Sequence, residues 1–191
     1  EAAANLLHEE LEWETVFAFD NEVLGENGTL GRTSHKEVIL LRYLRSALRK
    51  FNSWLTPQQE EEAIKKMLSH VSTASLMQTN EEKYKMIRDG IDVACTKPDG
   101  TPGTRKAKVI DFNNPQKNSF IAVRELWIKG AYHKRRADII GFVNGLPLLF
   151  IELKNHYVDV SEAYNNNYSD YLDTIPHLFF CNAMIMLSNG M

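Results

Sequence analysis

This chain has few cysteines, no long apolar run, no surplus of basic charge and no phosphate-binding glycine loop. Each absence closes off a class of protein. The two cysteines, Cys95 and Cys181, sit in unrelated contexts, Cys181 within an apolar segment. Neither a disulfide framework nor a cysteine zinc site can be built from them, and a reduced, cytoplasmic setting fits best. No stretch approaches the roughly 20 apolar residues of a membrane span, and 25% of the residues are charged, so we expect a soluble domain with no membrane partner. The net charge of -3 gives the molecule as a whole no pull on nucleic acid. Basic character is local, at Arg105-Lys106-Ala107-Lys108 and His133-Lys134-Arg135-Arg136. No Gly-x-x-x-x-Gly-Lys-Ser/Thr occurs, so this segment is not expected to bind or hydrolyse ATP. There is no internal repeat, low-complexity linker or signal-peptide pattern. The chain starts Glu1-Ala2-Ala3-Ala4-Asn5 without an initiator Met and stops at Met191 just after an apolar strand, from which we expect a fragment of a longer polypeptide.

What is present suits one globular domain of 191 residues, 43% of them hydrophobic. The patterns predict a helix over 1–12 and a strand over 14–19, then a loop at 25–31. Ser34-His35-Lys36-Glu37 reads as a capping box opening a helix with the apolar stripe Leu40, Leu44, Ala47, Leu48 and Phe51. Thr56-Pro57-Gln58-Gln59 opens a second helix, and a third is predicted over 80–87, stopping at Gly90. The pattern then turns to strands at 91–95 and 109–112, and more strongly at 120–128, 138–143 and 148–154, rich in β-branched and aromatic residues. A helix over 161–172 and a strand over 178–187 complete the chain. The expected class is α/β (α+β): a mixed sheet flanked by helices, with residues 1–90 a mainly helical elaboration and 91–191 the core.

The most informative stretch runs from Arg136 to Asn155. Two apolar strands meet at a tight Asn144-Gly145 turn, with Asp138 on the first and Glu152-Leu153-Lys154 on the second. Burying charge is costly unless it is paired or holds a metal. Alternation puts Glu152 and Lys154 on one face of their strand and Leu149, Ile151 and Leu153 on the other. A two-residue turn pairs positions summing to 289 and misses Asp138 against Glu152 by one. A three-residue turn, or a compensating bulge elsewhere, pairs positions summing to 290 and brings the two acids opposite. Two adjacent carboxylates repel unless a cation lies between them, and Mg²⁺ suits oxygen ligands that leave room for water and phosphate. Lys154 can then contact a scissile phosphate or orient the attacking water. Arg135 and Arg136, just before Asp138, are candidates for phosphate contact. Spacing alone leaves a structural ion pair open beside metal-dependent phosphodiester hydrolysis.

The stretches Arg136-Ala137-Asp138, Phe142-Val143-Asn144-Gly145-Leu146-Pro147-Leu148 and Ile151-Glu152-Leu153-Lys154-Asn155 resemble the nuclease domain of type I restriction-modification R subunits, a PD-(D/E)xK restriction-endonuclease-like family. The likeness extends to Asn27-Gly28-Thr29-Leu30-Gly31-Arg32, Val109-Ile110-Asp111-Phe112 and Pro176-His177-Leu178-Phe179 with Asn182. The resemblance implies a restriction-endonuclease-like sheet in which Asp138, Glu152 and the Leu153 carbonyl hold Mg²⁺ and Lys154 is catalytic. The family's Gln-x-x-x-Tyr motif, implicated in cleavage and DNA contact, is matched at Tyr171, while Asn167 replaces the Gln. Ala137 replaces the family's usual Pro, and Glu125, where Gln is common, reads as a solvent-facing strand residue. An extra acid from the first helix would be Glu1 or Glu9. The resemblance further implies double-stranded DNA as substrate, an ATP-driven motor later in the same polypeptide, methyltransferase and specificity subunits as partners, and a bacterial or archaeal cytoplasm. A free-standing repair or modification-dependent nuclease and a catalytically silent DNA-binding or assembly module are the competing readings.

Overall fold

The computed structural model describes residues 2–190. Its centre is a five-stranded mixed sheet in the order β1-β4-β5-β6-β7. Here β1 is Glu14–Phe17, β4 Phe120–Lys129, β5 Lys134–Val143, β6 Leu146–Leu153 and β7 Met184–Ser188. The middle three strands form an antiparallel meander, and β1 and β7 lie parallel to their neighbours at the edges. A separate two-stranded ribbon joins β2 (Ile91–Thr96) and β3 (Pro102–Ala107).

Each face of the sheet is covered. On the inner face Ile121, Val123, Ile140, Phe142 and Phe150 pack against Tyr171, Ile175 and Phe179 from the chain after β6. On the other face Ala122, Ile139 and Ile151 receive Ala4 and Leu7 of α1 (Ala2–Glu9). A third cluster joins α2 (Leu41–Phe51), α3 (Pro57–Leu68) and α4 (Leu76–Asp89) to the β2–β3 ribbon and the Val143–Leu146 end of the hairpin. The alternation read from the sequence therefore sorts β5 and β6 residues to two cores at once, as a central strand requires.

Local signals held where nothing distant competed. Thr56 and Ser75 each cap a helix through a full capping box, with Gln59 and Gln78 as the reciprocating side chains. Gly90 ends α4 with a positive φ of 89°. The expected helix start at Ser34 is a correction: α2 begins at Leu41. Glu37 is drawn away from Ser34, since its carboxylate accepts from the Thr33 hydroxyl and from Thr33 N at 3.1 Å, and its carbonyl accepts from the buried Arg32 at 3.0 Å. Leu40 is meanwhile pinned to the hairpin, its N–H donating to the Gly145 carbonyl at 2.8 Å. Residues 109–112 are not a strand. Val109 and Ile110 are buried in a connection whose carbonyl at Val109 accepts from the Asn144 side chain at 2.9 Å. The polar β3 and the early start of α4 escaped the sequence patterns, and 178–187 divides into a 3₁₀ turn, Pro176–Phe179, and β7.

Candidate active site

The Asn144-Gly145 turn has φ values of 50° and 82°, the two positive angles of a type I′ hairpin. It is a two-residue turn, pairing Val143 with Leu146 and Phe142 with Pro147. One extra residue on β6 at Leu148 then shifts the ladder, so that Gly141 faces Leu149, Ile140 faces Phe150 and Ile139 faces Ile151. The compensating bulge, rather than a longer turn, supplies the register in which Asp138 falls opposite Glu152. The paired ladder ends at Ile139 and Ile151. Beyond it the Asp138 carboxylate takes over as acceptor, its Oδ2 receiving the Leu153 N–H at 2.8 Å.

Glu152 is 1% exposed and sits at the end of the inner core. Its Oε1 accepts from the Asn167 side-chain amide at 2.5 Å and lies 3.5 Å from Lys154 Nζ. Its Oε2 is buried with no hydrogen-bond partner. Lys154 Nζ donates to Asn167 Oδ1 at 2.6 Å, so Asn167 bridges the acid and the lysine with both halves of its amide. Burial, reinforced by the Asp138 charge, pushes the Glu152 carboxyl up to about 7. Burial likewise raises Asp138 above the ordinary carboxylate value, against the pull of the Leu153 N–H and Lys154.

Asn167 reaches this position because the helix after β6 does not run regularly. One α-turn, α5 (Val160–Glu162), gives way to π-helical Ala163–Tyr168 before α6 (Ser169–Thr174). The wide turn is marked by the Ser169 N–H bonding to the Tyr164 carbonyl, and such turns concentrate at functional sites. Tyr171, on α6, is buried in the inner core and donates its hydroxyl to the Arg136 carbonyl at 2.9 Å. It thereby braces β5 two residues before Asp138.

The structure brings Asp138, Glu152, Leu153, Lys154, Asn167 and Tyr171 into one cluster. The basic pair is divided. Arg135 turns to α6 and forms an ion pair with Asp170, Nη2 to Oδ1 at 2.9 Å, whereas Arg136 points the other way and meets Glu125 at 3.0 Å. Glu9 is exposed at the end of α1, which packs on the Ile139–Ile151 face, opposite the face that Phe150 and Glu152 share. It does not join the cluster, and Glu1 lies outside the described residues. Glu125 is not a plain solvent-facing residue. It is half-buried, has a φ of 52°, lies between the Arg124–Ile139 and Leu126–Ala137 pairs opposite Asp138, and its charge adds to the upward push on Asp138.

Two carboxylates, one with an oxygen buried and unpartnered, offer oxygen donors suited to a hard divalent cation that keeps several waters. Among the described residues no group of three or more His, Cys, Asp or Glu forms a metal cluster, so the remaining positions of such an ion would fall to water and substrate. A cation there would also offset the burial and the Asp138 repulsion that together hold the Glu152 carboxyl up.

Sheet order and hairpin register define an α/β domain on a mixed five-stranded sheet, with the carboxylate–lysine cluster at the end of its central hairpin. The family profile described as type I restriction enzyme R protein N terminus matches residues 1–191, and the chain belongs to that family. It is 34% identical over 184 residues to the type I restriction enzyme HindI endonuclease subunit of Haemophilus influenzae, covering 94% of this chain and 17% of that protein. A protein assigned as the type I restriction enzyme MjaIXP endonuclease subunit of Methanocaldococcus jannaschii is 28% identical over 167 residues, with 84% of this chain and 16% of that protein covered. A Staphylococcus aureus type I restriction endonuclease subunit shares 32% identity over 81 residues, covering 42% of this chain and 9% of its own length. The chain thus spans about a sixth of the length of the first two relatives.

Proposed function

We propose that this chain is a Mg²⁺-dependent endonuclease module that hydrolyses phosphodiester bonds of double-stranded DNA. The observation that carries it is the buried, unpartnered Oε2 of Glu152 beside Asp138 and Lys154. Asp138, Glu152 and the Leu153 carbonyl would hold the ion, which supplies Lewis-acid polarisation of the phosphoryl group. Lys154, positioned by Asn167, places a cation beside the reacting phosphate, where it stabilises developing charge on the transferring group. Asn167 accepts a bond from that ammonium and gives one to Glu152, holding the 3.5 Å pair so that both remain directed at the same point. Tyr171 acts through β5, holding the Arg136 carbonyl and with it the approach to Asp138.

The relatives' length supports a larger machine, in which an ATP-driven motor in the same polypeptide moves DNA past this module and methyltransferase and specificity subunits choose the target, within a bacterial or archaeal cytoplasm. The test is substitution of Asp138, Glu152 or Lys154 by Ala in the complete protein assembled with its partner subunits. Cleavage should be lost while ATP-driven translocation survives. Cleavage persisting in all three variants would overturn the assignment.

A further inference from the structure

The left-handed Glu125 has a consequence away from the carboxylates. Before it, Ile121 and Val123 of β4 face the inner core, and after it Leu126 and Ile128 do. The alternation reverses at one strained residue, φ 52°, and Trp127 is turned to the outer face. There it stacks near Phe19, with centroids 6.3 Å apart and planes at 23°, and Phe19 stacks near the exposed Phe17 at 6.3 Å and 27°. Cations lie over all three rings. Arg124 is 5.1 Å from the Phe17 centroid, Arg136 4.6 Å from Phe19 and 5.8 Å from Trp127, and Lys134 4.5 Å from Trp127. Within the run 134–136, strand alternation sends only Arg135 the other way, to Asp170.

We propose that this aromatic-backed row of cations, on the outer face of the sheet, seats the sugar–phosphate backbone of the DNA where it flanks the cleavage site. The proposal rests on the nuclease reading above and says where the duplex runs. A Lys or Arg resting on an aromatic face has already given up much of its rotamer freedom while keeping donors directed to solvent, so it binds an anion at lower entropic cost. The chain is net negative, yet Lys134 and Arg136 stand side by side on this face, Arg136 in an ion pair with Glu125. Arg136 joins the row to the carboxylates: it pairs across strands with Trp127 and stands two residues before Asp138, on whose carboxyl its charge acts. A phosphate arriving at Arg136 competes with Glu125 for one edge of a guanidinium that has five donors. The cations cover the ring faces, which favours phosphate over stacked bases as the occupant.

The test is duplex binding by the full chain in a cleavage-silent Glu152→Gln background, read by fluorescence anisotropy across a range of salt. Lys134→Gln and Arg136→Gln should each weaken binding about five- to tenfold on every duplex sequence and lower the salt slope by about one. Trp127→Leu, which removes no charge, should weaken binding about threefold with the slope retained, and Trp127→Phe should restore it. Glu125→Gln should strengthen binding, an effect of opposite sign that loss of fold cannot produce. Melting temperatures of the variants separate unfolding from lost contact. A background protein that binds duplex while all these variants match it in affinity and slope would overturn the platform and leave the nuclease reading standing. Preference for unpaired oligothymidine, sensitive to Trp127→Leu and insensitive to the charge variants, would also overturn it in favour of a base-stacking site. No duplex binding by the background protein would sink the nuclease reading itself.

Discussion

Replacing Glu152 by Gln should flatten the pH dependence of stability between about pH 4.5 and pH 8. The Glu152 carboxyl is pushed from 4.5 up to about 7 by burial and by Asp138. Over that interval the folded protein keeps a proton that the unfolded chain has released. Stability from this group is therefore fully present below 4.5 and is lost as pH rises through about 7. The gap corresponds to about 3 kcal/mol at roughly 1.4 kcal/mol per pH unit. Asp138, raised chiefly by burial and further by the Glu125 charge, acts in the same direction. Gln keeps the shape and can still bond the Asn167 amide, but it carries no proton to lose and relieves Asp138 of a like charge. For a domain of this size 3 kcal/mol corresponds to about 6–12 °C in Tm. Melting curves in EDTA from pH 5 to pH 8 should show the parent falling by several degrees more than the variant. At pH 8, saturating Mg²⁺ should recover the difference in the parent, because a cation between the carboxylates stabilises only the folded state, and should leave the variant unmoved. Parallel pH profiles, or an equal response of both proteins to Mg²⁺, would refute the account of this site.

Three other outcomes follow from contacts already described. Asn167→Ala should lower cleavage about 10- to 100-fold in the complete protein, since it frees Lys154 and removes the donor to Glu152; single-turnover kinetics would show it. Asn144→Ala should cost about 3 kcal/mol in urea unfolding, because the buried amide bonds Ser119 N, Val109 O and Asn118 Oδ1 while holding a left-handed turn. Phe150→Ala should cost about 3–5 kcal/mol by the same measurement, Phe150 being buried against Tyr171 and Phe179 at ring distances of 5.8 and 5.2 Å.

Much of the molecule was legible in the order of its residues. Apolar runs rich in β-branched and aromatic residues mark β4, β5 and β6, Asn144-Gly145 marks the turn between two of them, and Glu152-Leu153-Lys154 puts an acid and a base on one face whatever the rest of the chain does. These are nearest-neighbour properties, set by backbone sterics and side-chain alternation. Tertiary contacts decided the remainder. The start of α2 moved because Arg32 and Thr33 claim Glu37 and the hairpin claims Leu40. The bulge at Leu148 restores the register that a two-residue turn alone would have missed. Arg135 and Arg136, adjacent in sequence, were parted by helix and strand partners 35 and 11 residues away. The π turn that delivers Asn167 to both Glu152 and Lys154, and the left-handed Glu125 that turns Trp127 outward, carry no sequence signal of their own. Each costs local strain that only packing from distant segments can offset, so each exists only in the folded chain.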